Sequence, residues 1–228
     1  MLIGILQTGE TPEVLRGRSG DYPDMFETML SGYGFTFRTW RALDNQLPAS
    51  VNEADGWLIT GSRHGAYEDL PFIKPLERFI RAAYDAHVPM VGVCFGHQII
   101  AQAMGGKVEK YHGGWSVGPQ EYDFDGKKMI VNAWHQDQVT EKPASATRIA
   151  TSDFCENAAF LYDNRTFTVQ PHPEMTDDYV QALMETRGKG VVPDALISQA
   201  AARLGTPLDS GSLADQIAAF FKLPRPKS

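Results

Sequence analysis

The sequence has few of the features that would direct a protein to a membrane, a nucleic acid or the outside of the cell. Its apolar runs are short, and the first, at residues 2–6, has no basic region before it, so we expect neither a signal peptide nor a membrane-spanning helix. No run of lysine or arginine offsets the formal net charge of −7, which argues against nucleic-acid and membrane partners. Only two cysteines occur, Cys94 and Cys155, and without a secretory signal we expect reduced thiols. The sequence therefore predicts a cytoplasmic protein that acts on small molecules.

Metal-binding and phosphate-binding patterns are also missing from the sequence. The six histidines show no recognised metal-ligand spacing, and the two cysteines form no Cys-x-x-Cys pair. No glycine-rich loop of the Gly-x-x-x-x-Gly-Lys-Ser/Thr type occurs. We therefore expect no metal site and no nucleotide-using domain.

The composition is that of a packed globular protein. Of the 228 residues, 43% are hydrophobic and 21% are charged, which suits a chain that buries a sizeable core. We predict one domain over residues 1–228.

The order of apolar and helical patterns predicts an α/β fold. Short apolar runs at residues 2–6, 56–60 and 88–94 alternate with helical patterns at 23–30, 73–87 and 97–104. This rhythm is typical of an open, mostly parallel sheet of the flavodoxin-like kind, with helices on both faces. Glycines and the Asp125-Gly126 pair break residues 107–139 into short alternating stretches, which indicates some antiparallel strands. After residue 174 the chain reads as helical again, with Thr176 as a predicted N-cap.

The most informative segment is a strand that runs through Gly92-Val93-Cys94-Phe95-Gly96 into a helix. A strand, a sharp turn and a helix form the arrangement that exposes a nucleophile at the top of a sheet. Glycines two residues either side of Cys94 allow close backbone packing, and the nucleophile itself is expected to be strained. The positive end of the helix dipole can stabilise an anion at the same place. The alternative interpretation is that Cys94 is a small buried apolar residue at a strand end. Cys155 is predicted to be a half-buried strand residue that contributes to packing and not to chemistry.

A second segment supplies a base and a carboxylate. In FTVQPHPEM, residues 167–170 read as a strand, and prolines at 171 and 173 forbid a continuing helix. An extended chain would place His172 and Glu174 on one side, where the carboxylate can orient the imidazole. Alone, such a pair is more often a solvated surface pair.

Together these segments identify a resemblance. VGVCFGHQIIAQAMGGKV, followed later by VQPHPE, resembles the triad-type, class I glutamine amidotransferases, in particular the amidotransferase portion of GMP synthase and its stand-alone relatives. The similarity covers about residues 1–176 and leaves 177–228 as a helical extension. It implies that Cys94 is the nucleophile, His172 the base and Glu174 the group that orients the base, and that no metal or organic cofactor takes part.

The resemblance also implies an oxyanion hole and a substrate pocket. Gly61 lies in a turn similar to the family's Ser-Gly-Gly-Pro turn, and its N–H would pair with that of Phe95 to form the hole. Ser62 and Arg63 replace the second glycine and the proline, so both Gly61 and Ser62 are candidate donors. Pocket candidates come from the helix after the nucleophile and from a segment similar to the family's Ser-His-Gly-Asp-x-Val stretch. They are Gln98, His135, Gln136 and Asp137.

Three functions fit this pattern. The resemblance first implies hydrolysis of the glutamine side-chain amide, with ammonia passed to a separate synthetase subunit. The same thioester chemistry would serve a stand-alone γ-glutamyl peptidase that acts on compounds of the glutathione type. A third alternative, a non-enzymatic binding or stress-response module, gives no reason to retain Cys94, His172 and Glu174 together.

Overall fold

A computed structural model of the chain describes residues 1–224. It contains an alternating series of strands and helices. The strands are β1 (Leu2–Leu6), β2 (Thr36–Trp40), β3 (Gly56–Ile59), β4 (Met90–Val93), β5 (Lys107–Lys110), β6 (Ser116–Phe124), β7 (Lys127–His135), β8 (Asp137–Glu141), β9 (Thr147–Thr151), β10 (Ala159–Tyr162) and β11 (Thr166–Val169). The helices are α1 (Glu13–Ser19), α2 (Tyr22–Met29), α3 (Ile73–Asp85), α4 (Phe95–Ala103), α5 (Asp177–Thr186), α6 (Asp194–Arg203) and α7 (Ser210–Phe221).

The central sheet confirms the predicted α/β class. Over residues 1–224 its strand order is β2-β1-β3-β4-β11-β10-β9-β6-β7, and β5 pairs with β8 in a separate small sheet. The first five strands run parallel, in the flavodoxin-like order. The remaining strands are antiparallel; the broken pattern over residues 107–139 predicts this for β6 and β7, whereas β9 and β10 lie outside that range. Asp125 and Gly126 form the turn between β6 and β7, and both have positive φ.

Helices cover both faces of the sheet because alternate strand residues point to opposite sides. Trp57 and Ile59 of β3 pack in the apolar cluster that contains α3 and α4. Leu58, between them, packs in the cluster that contains α2 and α7. The parallel strands β1, β3 and β4 are therefore buried on both faces, which explains why they read as continuous apolar runs, whereas the edge strand β2 is largely exposed.

The helix boundaries follow local sequence signals with small shifts. The apolar stripe of α3 is buried as predicted, at Leu76, Phe79, Ile80 and Ala83. Helix α4 begins at Phe95 rather than at residue 97, because the turn at Cys94 leads directly into it.

The C-terminal region is helical, as the pattern after residue 174 indicates. Thr176 caps α5 by accepting a hydrogen bond from the Tyr179 N–H at 3.3 Å. Helix α7 docks on the sheet through buried Leu213 and Ile217. The predicted extension over 177–228 contains α5, α6 and α7, and its last four residues, 225–228, lie outside the described part. Among the helices described, none has both the length and the apolar character needed to cross a membrane.

Candidate active site

Cys94 lies in a strained turn between β4 and α4. Its backbone has φ 53° and ψ −105°, a region that side-chain-bearing residues rarely adopt, and the residue is buried. A Cβ at Gly92 would lie 2.5 Å from the Gly96 carbonyl oxygen, and a Cβ at Gly96 would lie 2.3 Å from the Ile59 carbonyl oxygen. Both flanking positions therefore require glycine, as the elbow pattern predicts.

His172 and Glu174 meet just beyond the end of β11. The His172 Nδ1 atom lies 2.6 Å from Glu174 Oε1, and both side chains are buried. The predicted route to this contact is wrong, because the chain here is not extended: the Met175 N–H donates to the His172 carbonyl oxygen at 3.3 Å and closes a turn. The two prolines end the strand, and the turn then brings the side chains together.

The electrostatics of this pair favour a protonated imidazole. Burial by itself lowers the pKa of His172, but the Glu174 carboxylate and the neighbouring Cys94 group outweigh it and raise the pKa to about 10. The other oxygen of the carboxylate, Glu174 Oε2, has no hydrogen-bond partner among residues 1–224. The hydrogen bond to His172 is thus the one described contact that fixes this carboxylate, and it sets the imidazole tautomer with Nδ1 protonated.

Cys94 and His172 open into one cavity of about 420 Å³ at the carboxyl ends of the parallel strands. Five of the predicted pocket and oxyanion-hole residues line it as well: Ser62, Gln98, His135, Gln136 and Asp137. Glu174 lies behind His172 and outside this lining. Ligands of open α/β sheets bind at this edge, so the cavity is the candidate active site.

The backbone of Gly61 lies against the cysteine–histidine pair. A Cβ added to Gly61 would lie 3.1 Å from His172 Cε1 and 3.8 Å from Cys94 Cβ. None of the backbone hydrogen bonds described over residues 1–224 uses the N–H of Gly61, Ser62 or Phe95 as donor. Phe95 is the first residue of α4, where the N–H has no partner within the helix. Of these three residues Ser62 lines the cavity, whereas Gly61 and Phe95 lie outside its lining.

Hydrogen bonds hold the predicted pocket residues in place, two of them through the Asp137 carbonyl oxygen. The Gln98 Nε2 group donates to the Asp137 carbonyl oxygen at 2.9 Å and to Gln170 Oε1 at 3.0 Å. The His135 Nδ1–H donates to the same carbonyl at 3.2 Å, and burial lowers the pKa of His135 to about 3, which keeps the ring neutral. Gln136 is held by the Tyr111 carbonyl oxygen at 3.3 Å. This wall is therefore preorganised rather than loose.

Several cavity residues have no signal in the sequence that would predict them. Tyr22, Tyr67, Trp115 and Arg187 line the cavity, and each comes from a segment without a recognised motif. The Tyr67 hydroxyl donates to Asp137 Oδ1 at 3.3 Å. Tyr22 is buried, which raises the pKa of its phenol and keeps it protonated. At Tyr22 the sequence indicates only the start of a helix, because Tyr22 follows the N-cap residue Asp21 and begins α2.

Cys155 does not have the environment predicted for it. It is 1% exposed and lies in the loop between β9 and β10, rather than half-buried in a strand. Burial raises the pKa of its thiol to about 12, so it stays protonated near neutral pH. Both cysteines are free thiols. Across residues 1–224, no group of three or more His, Cys, Asp or Glu side chains is placed to hold a metal ion.

Comparisons with known proteins point to one family. The model of the family "Glutamine amidotransferase class-I" matches residues 30–184. A glutamine amidotransferase-like protein of Schizosaccharomyces pombe is 29% identical over 93% of this chain and 95% of its own length. Gamma-glutamyl peptidase 4 of Arabidopsis thaliana is 30% identical over 70% of both chains. The glutamine-hydrolysing GMP synthase of Methanopyrus kandleri has a subunit that is 33% identical over 56% of this chain and 71% of its own.

Solved structures agree on the fold. A glutamine amidotransferase from Methylobacillus flagellatus superposes with a TM-score of 0.75 at 23% identity, covering 97% of this chain and 93% of that one. A glutamine amidotransferase from Thermotoga maritima gives a TM-score of 0.74 at 22% identity, covering 97% and 98%.

Proposed function

The chain belongs to the class I glutamine amidotransferase family, and from that premise we propose that it hydrolyses γ-glutamyl amide bonds through a triad of Cys94, His172 and Glu174. The observation that carries the proposal is that Cys94 and His172 line one cavity, while Glu174 binds the imidazole nitrogen that faces away from it. This is the relation that a nucleophile, its base and the group that orients the base require.

In the first step the Cys94 sulfur attacks the carbonyl carbon of the γ-amide. His172 already holds the proton taken from the Cys94 thiol, in keeping with its raised pKa, and donates it to the leaving nitrogen, so that the S–C bond forms and the C–N bond then breaks. Ammonia or an amine leaves, and a γ-glutamyl thioester remains on Cys94. The buried Glu174 carboxylate stabilises the imidazolium that exists between the two proton transfers.

Backbone N–H groups would hold the negative oxygen of the tetrahedral intermediate. We assign this role to Phe95 together with Gly61 or Ser62, because these N–H groups have no described acceptor and lie beside the cysteine–histidine pair. In the second step His172 removes a proton from water, which attacks the thioester. The C–S bond breaks, glutamate is released, and the proton returns to the Cys94 sulfur.

Glutamine is the first candidate substrate, as the family implies. We assign Gln98, His135, Gln136 and Asp137 to the wall that holds the γ-glutamyl part, because they line the cavity and hydrogen bonds fix Gln98 and His135 to Asp137 and Gln136 to Tyr111. The ammonia would pass to a separate synthetase subunit. The similarity to the glutamine-hydrolysing GMP synthase of Methanopyrus kandleri supports this role.

A γ-glutamyl peptide is the second candidate substrate. Relatives named gamma-glutamyl peptidases match 70% to 79% of this chain, a larger share than the GMP synthase relatives match. The chemistry at Cys94 is the same for both substrates, and they differ only in the amine that leaves.

The proposed function is tested by replacing each cysteine in turn. Cys94→Ala should abolish hydrolysis of glutamine and of γ-glutamyl peptides, measured as glutamate released in the steady state. Cys155→Ala should keep the activity, because Cys155 packs in the core and its loss costs stability alone.

Equal loss of activity in the two variants would refute the assignment of Cys94. A wild-type protein that releases no glutamate from any γ-glutamyl compound, with or without a synthetase, would refute hydrolysis as the function. Activity on peptides together with negligible activity on glutamine would place the second candidate first.

A further inference from the structure

The candidate active site continues into a second cavity. This neighbouring cavity measures about 580 Å³ and is lined mainly by the segment after β1, from Thr8 to Arg16. Arg63, His64 and Arg187 line both cavities, so the two spaces adjoin along these side chains. A substrate that reaches beyond the site of bond cleavage on this side must pass them.

The two arginines that line both cavities have no carboxylate partner among the described residues. Among residues 1–224, Arg63 is exposed and makes no ion pair or side-chain hydrogen bond. Arg187 is half-buried, and its described hydrogen bond goes to a neutral acceptor, the Glu10 carbonyl oxygen, at 2.9 Å. Nearby arginines differ: Arg16 lies 3.6 Å from the Glu10 carboxylate, and Arg41 lies 2.9 Å from it. The guanidinium groups of Arg63 and Arg187 are therefore not engaged in a described ion pair, although Glu68 lies 3.4 Å from His64 at the same junction and Glu10 and Glu13 line the second cavity.

Residues that line the first cavity alone have a different charge pattern, and one of them, Glu68, lies 3.4 Å from His64 at the junction. Glu68, Lys110 and Asp137 line this cavity, and Tyr67 hydrogen-bonds to Asp137 there. None of these four residues lines the second cavity. Carboxylates beside an ammonium group suit the α-amino and α-carboxyl groups of the γ-glutamyl part, which carries one charge of each sign. The two arginines then lie on the side of the leaving amine.

On this basis we propose that Arg63 and Arg187 form a leaving-group subsite, which binds the carboxylate of the amino acid or peptide released from a γ-glutamyl bond. The inference rests on the proposed function and names its substrate class: γ-glutamyl amino acids or peptides with a free C-terminal carboxylate. Guanidinium groups pair with carboxylates through two parallel hydrogen bonds, which gives direction as well as charge. Glutamine releases ammonia and has no group that could occupy this subsite.

The substrate pair γ-glutamylglycine and γ-glutamylglycinamide isolates the leaving-group carboxylate, because the two compounds have nearly the same shape. We expect the wild-type kcat/KM for γ-glutamylglycine to exceed that for the glycinamide by about tenfold, or about 1.4 kcal/mol. Arg63→Gln should reduce this ratio to about one at low salt. Arg187→Gln should reduce it as well.

Arg78→Gln is the matched control. Arg78 is exposed on α3, and it lines neither cavity, so its replacement removes the same charge elsewhere and should leave the ratio unchanged. A wild-type ratio near one would overturn the subsite, as would a ratio that survives in both arginine variants. Turnover of the glycinamide that requires Cys94 would support the proposed function regardless of the ratio.

A binding measurement separates the two proposals if turnover is absent. Calorimetric titration of Cys94→Ser protein with each compound should give about tenfold tighter binding of γ-glutamylglycine, and Arg63→Gln in the same background should remove the difference. Equal binding of the two compounds would refute the subsite even where hydrolysis is intact.

Discussion

Replacing Glu174 by glutamine tests the proposed triad at its shortest described contact, the hydrogen bond between His172 and Glu174. The carboxylate oxygen lies 2.6 Å from His172 Nδ1 in a buried environment. At an effective dielectric constant of about 20, two unit charges at that distance attract with about 6 kcal/mol, an upper limit for what the imidazolium can lose. A glutamine carbonyl can still accept the Nδ1–H bond, which retains about 1 kcal/mol of the interaction.

The amide cannot be satisfied in either orientation. With its oxygen toward His172, its nitrogen occupies the position of Glu174 Oε2, where no described residue offers a partner. With its nitrogen toward His172, the ring must carry its proton on the other nitrogen, and that tautomer cannot accept a proton from Cys94. We therefore expect kcat to fall by roughly 100- to 1000-fold, about 3–4 kcal/mol at 1.36 kcal/mol per tenfold.

The assay is steady-state glutamate release, with thermal unfolding measured on the same samples. Asp178→Asn is the matched control, because this carboxylate lies on the exposed surface of α5 and pairs only with exposed Arg18 at 3.3 Å in the described contacts. It should leave the rate unchanged. A folded Glu174→Gln protein with the wild-type kcat would refute the role of the carboxylate.

Two further predictions concern the residues around the proposed nucleophile. Gly61→Ala should lower kcat at least tenfold, since its Cβ would lie 3.1 Å from His172 Cε1, whereas Gly17→Ala, with nothing within 4 Å, should keep the rate. Imidazole NMR should show His172 protonated near pH 8 and His97 neutral down to about pH 5. Burial lowers the pKa of His97 to about 3, whereas for His172 the Glu174 and Cys94 charges overcome burial and raise the pKa to about 10. The stabilisation from the raised pKa is then fully present below pH 6.5, the ordinary value, and is lost as the pH rises through about 10. A His172 signal that titrates near pH 6.5 would contradict this.

The parts of the molecule that the sequence predicts are those with local causes. Buried parallel strands must be apolar on both sides, so residues 2–6 and 90–93 show a continuous apolar run. The turn at Cys94 can be predicted from its two flanking glycines, because close backbone contacts at Gly92 and Gly96 exclude a Cβ. The N-cap role of Thr176 can be predicted because the first N–H groups of a helix need a side-chain acceptor.

The parts that the sequence does not predict depend on contacts between distant segments. Tyr22 lies at the start of α2 and Arg187 at the end of α5, and both line the cavity. No spacing in the sequence predicts that these two distant residues lie in the same site. The partly apolar neighbours of Cys155 indicate a strand, yet it lies in a buried loop where its N–H is bound by the Ser152 hydroxyl at 2.9 Å. The turn at His172 and Glu174 has no separate signal, because alternation in a strand and a tight turn both bring residues i and i+2 together.

The backbone of Cys94 carries a last prediction, one about stability. Its φ of 53° with ψ of −105° costs a residue with a side chain about 1–3 kcal/mol, and the fold retains it through the Cys94 N–H bond to Val169 and the Gln98 N–H bond to Cys94. Glycine avoids that cost, although it loses about 0.4–1 kcal/mol through greater freedom in the unfolded chain. Cys94→Gly should therefore be at least as stable as Cys94→Ala in urea unfolding, the reverse of the usual order for glycine and alanine. If Cys94→Gly proved less stable by about 1 kcal/mol, as glycine is in ordinary helix positions, the turn would not be strained, and the position of Cys94 in the cavity lining would need another cause.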